Sequence, residues 1–108
     1  MKRIITLLAA AAAVALAPGA RAADAKAAEA LAKNSGCLAC HTMDKKLIGP
    51  GYKDVANKYR GNKAAAADLV KKVKAGSKGV WGDIPMPPNA HVKDEDIKSI
   101  VQWILSIK

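Results

Sequence analysis

Cys37-Leu38-Ala39-Cys40-His41 sets two thiols and an imidazole side by side. Two thiols separated by two residues can reach the two vinyl groups of one porphyrin and form thioethers. The adjacent His can then face the iron from the same side, and this spacing is the attachment pattern of a c-type haem. Other chemistries use similar residues. A redox-active Cys-x-x-Cys of the thioredoxin kind needs a βαβ scaffold, and the chain has no strand-like alternation. A structural zinc needs four ligands, and beyond Cys37, Cys40 and His41 only His91 offers a fourth. A disulfide across so short a loop would constrain the unfolded chain little. Haem attached through Cys37 and Cys40, with His41 on the iron, is the reading these residues support.

An iron held by His41 has a sixth position that is either filled or open. Met86 is the leading candidate, because Pro85, Pro87 and Pro88 surround it. Proline fixes φ and cannot join a helix, so Met86 is expected in one extended geometry, far enough along the chain to reach the opposite haem face. Met43 lies too close to His41 to cross over. His91 is a rival ligand or a solvated loop residue. A filled position means electron transfer only. An open one would allow peroxidase-like enzyme chemistry. Three more residues have supporting roles open to them. The Pro50 carbonyl can accept the ring N–H of His41, or Gly49-Pro50 can simply turn the chain. The Asn89 amide can face the Met86 sulfur or cap a turn. Trp81 can lie along the haem and donate to a propionate, or pack in a core.

The elements that must hold these groups are helices. Asp24 to Asn34 is rich in Ala, with Leu31 on its apolar face, and Gly36 ends it. Tyr52, Val55, Ala56 and Tyr59 have helical spacing before Gly61. Ala64 to Ala75 points Leu69, Val70 and Val73 inward and stops at Gly76. Ile97, Ile100, Val101, Ile104 and Leu105 form the clearest apolar stripe, behind an acidic first turn of Asp94, Glu95 and Asp96. Trp103 on this helix is expected in the core. Two stretches are expected to be loops, Leu47 to Gly51 and the Gly- and Pro-rich Gly76 to Asn89. Val80, Trp81, Ile84 and Met86 make the second loop too apolar for a disordered tail.

Residues 1–22 read as a cleavable signal peptide. Lys2 and Arg3 precede an apolar run from Ile4 to Leu16, Pro18-Gly19 breaks it, and Ala20-Arg21-Ala22 is a small-x-small cleavage pattern. The run is short of the roughly 20 residues that span a bilayer. Cleavage after Ala22 leaves one domain, residues 23–108, exported to the periplasm. It also removes Lys2, Arg3 and Arg21, so 18 basic residues become 15 against 9 acidic, a net charge of +6. Export and scattered lysines argue against nucleic acid, and an acidic protein partner is the expected counterpart. With no Phe and much Ala, the domain is short of core volume, which a large apolar cofactor would supply.

Taken together, Cys37-Leu-Ala-Cys-His41, Ile48-Gly-Pro-Gly-Tyr-Lys-Asp-Val-Ala56, Gly79-Val-Trp-Gly-Asp-Ile-Pro-Met-Pro-Pro-Asn-Ala90 and Trp103-Ile-Leu-Ser106 resemble the bacterial class I cytochromes c of the c551/c552 type. The resemblance runs in order through nearly all of residues 23–108. It implies an all-α class I cytochrome c fold, with four to five helices around one covalent haem c. It implies His41 and Met86 as axial iron ligands, and Pro50, Trp81 and Asn89 in the supporting roles above. It further implies a soluble, monomeric periplasmic electron carrier serving a nitrite reductase, a peroxidase or a terminal oxidase. Lys45, Lys46, Lys53 and Lys78 are the charges expected to steer such partners. The basic residue that assists a propionate in some relatives falls on Lys71 or Lys72. Val92-Lys93 stands where relatives tend to carry a Ser helix cap, and His91 looks like an extra loop residue.

Overall fold

The computed structural model describes residues 20–108, with side chains from residue 25 onward. Four helices follow one another: α1 (Ala20–Asn34), α2 (Tyr52–Lys58), α3 (Ala65–Ala75) and α4 (Asp94–Ser106), with a short 3-10 turn over Cys37–Ala39. Among the described residues, extended segments pair only at two isolated bridges, His41 with Lys46 and Ser77 with Met86. The fold is all-α, as expected. Most of the expected signal peptide, residues 1–19, lies outside the described residues.

Helix α4 is the axis on which α1, α2 and α3 all pack. Its stripe of Ile97, Ile100, Val101 and Ile104 is buried, with Leu105 half-buried beside it. Two clusters form along it. Ala32, Tyr52 and Val55 meet Ile100 and Ile104, and Val92 meets Ile97 and Val101. Ala28 and Ala32 are buried on α1; their small side chains let that helix approach α4 closely, which offsets the little volume they fill. Trp103 packs against the first cluster, edge-on to Tyr52 at 5.5 Å. Ile97 is 0% exposed, so Ile97→Val should cost about 0.5–1.5 kcal/mol in a urea titration.

Helix ends follow the local chemistry with small differences. α1 spans Ala20–Asn34, starting upstream of the Asp24 expected from sequence; its Ala-rich composition favours helix throughout. It stops where Gly36 turns left-handed at φ 84°. α4 begins at Asp94 with no side-chain cap, since Lys93 precedes it in extended conformation. Its acidic first turn compensates through the helix dipole.

Candidate functional site

The 3-10 turn at Cys37–Ala39 brings Cys37, Cys40 and His41 to one wall of an open-mouthed cavity. His41 N donates to Cys37 O (3.0 Å), so the thiols and the imidazole share one tight turn. The loop after it folds back: Gly49 N donates to Cys40 O (2.7 Å) and Tyr52 N to Thr42 O (2.8 Å). This return brings the Pro50 carbonyl within 2.7 Å of His41 Nδ1. A carbonyl only accepts, so Nδ1 carries the proton, and the neutral ring keeps its lone pair on Nε2 for a metal. Tyr52 stacks on the imidazole, with centroids 5.1 Å apart and planes at 19°. A Cβ on Gly49 would sit 2.5 Å from His41 Cε1. Only glycine leaves the ring this space.

Met86 lines the same cavity as His41, Cys37 and Cys40. Its backbone is clamped by Ser77, with Met86 N donating to Ser77 O (2.7 Å) and Ser77 N to Met86 O (3.0 Å). Between these donors the walls are mostly apolar, with Val55, Leu69, Val73, Ile100, Val101 and Ile104 among them. The empty space is about 1390 Å³ with its solvent mouth included. Leu69, Val70 and Val73 face inward as expected but are only half-buried, because two of them, Leu69 and Val73, border this space. A core that lacks volume and opens on two thiols, an imidazole and a thioether fits a haem c.

The other residues singled out from the sequence divide cleanly. Trp81 borders the cavity and is 37% exposed, so it is not core; Lys58 Nζ lies 5.3 Å from its ring centre. Asn89 also borders the cavity. Its Nδ2 donates to the Val73 and Pro87 carbonyls, at 3.1 and 3.3 Å. Lys72 lines the cavity and Lys71 does not; Lys46 and Lys78 also line it, against one carboxylate, Asp83. His91 and Met43 are exposed and do not line the cavity.

Sequence reasoning missed three contributors. Tyr52 was placed on a helix face, not against His41; an aromatic just after Gly-Pro-Gly was the available signal. Ser77 and Lys58 carry no local signal, since their partners Met86 and Trp81 are distant in the chain.

Burial pushes the Cys37 thiol upward, although a hydrogen bond with Tyr52 pulls the other way. The Tyr52 phenol is pushed well above its usual range, first by its own burial and then by Cys37. Reactive Cys-x-x-Cys thiols differ from Cys37 in this respect, their pKa values being lowered by helix N-termini or nearby cations.

Residues 25–108 match the sequence pattern of the family described as Cytochrome c. The chain is 54% identical over 80 residues to cytochrome c-551 of Pseudomonas aeruginosa, covering 74% of this chain and 76% of that one. It is 47% identical over 109 residues to cytochrome c-551 of Stutzerimonas stutzeri, covering all of both chains. The crystal structure of Nitrosomonas europaea cytochrome c552 superposes with a TM-score of 0.72 at 50% identity, covering 74% of this chain and 99% of that one. Cavity, fold and relatives agree: this chain belongs to the cytochrome c family, as a small c-type cytochrome of the electron-carrying kind that binds haem c and its iron covalently.

Proposed function

We propose that this protein is a periplasmic one-electron carrier in which His41 and Met86 supply both axial ligands of the haem iron, delivering electrons to a terminal reductase or oxidase. The observation that carries the reading is the cavity itself. The imidazole has its Nδ1 engaged by Pro50, and it shares that cavity with the thioether of Met86. Bound haem c supplies a reversible Fe(II)/Fe(III) couple. The chain's residues do the rest. Cys37 and Cys40 anchor the group through thioethers. Pro50 and Tyr52 hold the His41 ring in one orientation, which would offer Nε2 to the iron without a search over rotamers. Met86, clamped by Ser77, favours the reduced state, since a thioether raises the potential relative to a second imidazole. With both axial positions held by these side chains, the iron would offer no substrate site.

The apolar walls exclude water and limit solvent reorganisation. Lys72 is the better placed of the two helix lysines to meet a propionate, and Trp81 lines the same cavity. Around the mouth, Ile48, Val80 and Ile84 are exposed apolar side chains. Such a patch suits a small and brief encounter with a partner such as a nitrite reductase or a peroxidase, steered by Lys45, Lys46, Lys53 and Lys78. Among the described residues no helix is long and apolar enough to cross a membrane, and we take the carrier to be exported by residues 1–22 and to act as a monomer.

The test is the intact mass and visible spectrum of protein made in its own host. We expect a chain starting at or near Ala23, heavier by one haem, with the weak far-red band of a sulfur–Fe(III) bond. A bare polypeptide mass would end the haem reading. Haem without the far-red band would end the Met86 assignment alone.

A further inference from the structure

The segment carrying Met86 is fastened to one helix end at several points. Ser77, just past α3, exchanges both backbone hydrogen bonds with Met86. On the far side of Met86, Asn89 N and Asn89 Nδ2 both reach Val73 O, each at 3.1 Å. Beyond that, Lys74 Nζ donates to Val92 O at 2.6 Å and pairs with Asp94 Oδ1 at 3.0 Å. Val73 and Lys74 lie in the last turn of α3 and grip the chain on either side of His91.

Lys74 holds a junction that has no side-chain cap of its own. Lys93 precedes α4 with no side-chain cap. Val92 is buried against Ile97 and Val101, so its carbonyl marks where the loop enters the core. The Asp94 pair is largely solvent-exposed and adds little to global stability by itself. The charge-assisted bond to a half-buried carbonyl is the stronger contact.

We propose that Lys74 is a positioning residue for the Met86 sulfur, an inference that rests on Met86 being an axial ligand. Pro87 and Pro88 connect Met86 to Asn89 and hold φ fixed, so a shift of Asn89 is passed to Met86 instead of being absorbed, and the anchor on Val92, three residues on, limits how far that end can move. Lys74 sets that end through Val92. Without it the segment gains freedom to move off, and the thioether is displaced more easily by a competing ligand.

The test uses oxidised holoprotein and free imidazole, following loss of the far-red sulfur–iron band. Lys74→Ala should bind imidazole about tenfold more tightly than the unsubstituted protein, equal to about 1.4 kcal/mol. Lys74→Arg, which can reach both oxygens, should stay within about twofold of it. Arg60→Ala is the control. Arg60 ties the far end of α4 through the Ile107 carbonyl at 3.4 Å, so this variant should lower stability without changing imidazole affinity. If Lys74→Ala gives no holoprotein, Lys74→Met keeps the methylene stem and reads the same quantity. Imidazole affinity within twofold of the unsubstituted protein in the Lys74 variant would overturn the proposal. Absence of the far-red band in the unsubstituted protein would instead overturn Met86 ligation.

Discussion

Met86→Leu lowers the midpoint potential by on the order of 100 mV and lets the reduced protein bind carbon monoxide. Leu and Met have similar volume, so the substitution should cost less than about 1.5 kcal/mol in packing, and the Ser77 backbone clamp does not depend on the side chain. What disappears is the sulfur. The ligand that favours Fe(II) goes with it, and the iron gains an open position. Potentiometric titration reads the first effect and a reduced-plus-carbon-monoxide difference spectrum the second. The unsubstituted protein should show neither prompt carbon monoxide binding nor peroxidase turnover. An unchanged potential in Met86→Leu, with no carbon monoxide bound, would mean that another group is the sixth ligand. His91 is the obvious rival by type, but it is exposed and does not line the cavity.

Gly49→Ala should be strongly damaging for a single added methyl. The new Cβ would lie 2.5 Å from His41 Cε1 and 2.9 Å from Nδ1. The Gly49 backbone cannot retreat without losing its 2.7 Å bond to Cys40 O. The ring must move instead, and that sacrifices the Pro50 contact and the stack on Tyr52. We expect a loss of about 3 kcal/mol in guanidinium unfolding, at the upper end of overpacking costs, with a reduced yield of haem-loaded protein. Gly79→Ala separates this clash from ordinary glycine effects. Gly79 has φ 88° with nothing within 4 Å of a new Cβ, so its substitution bears only left-handed strain of about 1–2 kcal/mol. Gly49→Ala equal in stability to Gly79→Ala, with its haem content intact, would show that the ring has room and that the close approach is not a constraint.

Both substitutions act on contacts of very different legibility. The haem attachment through Cys37, Cys40 and His41 is written in consecutive residues, and local spacing alone carries it. The helices are nearly as plain. The stripe from Ile97 to Leu105 has the period of α4, and Gly36, Gly61 and Gly76 mark stops because each adopts a positive φ there. The prolines around Met86 likewise announce a stiff extended segment. Even the shortage of core volume could be counted from composition.

What a side chain meets across the chain is another matter. Lys71 and Lys72 are equivalent as sequence, yet consecutive helix positions point about 100° apart, and the packing of α3 on α4 turns only Lys72 to the cavity. Gly49-Pro50 reads equally well as a simple turn until the fold-back brings the Pro50 carbonyl to the imidazole. Asn89 gives no sign in sequence that its amide meets the end of α3, where its Nδ2 donates to Val73 O. Trp81 is apolar enough for a core and stands at the cavity instead. Amino-acid order by itself determined the chemistry available, the helical periods and their stops, since each depends on near neighbours. Only the tertiary structure decided which groups face the cavity and which hold others in place, because those pairings depend on helix phase and loop return between residues distant in sequence.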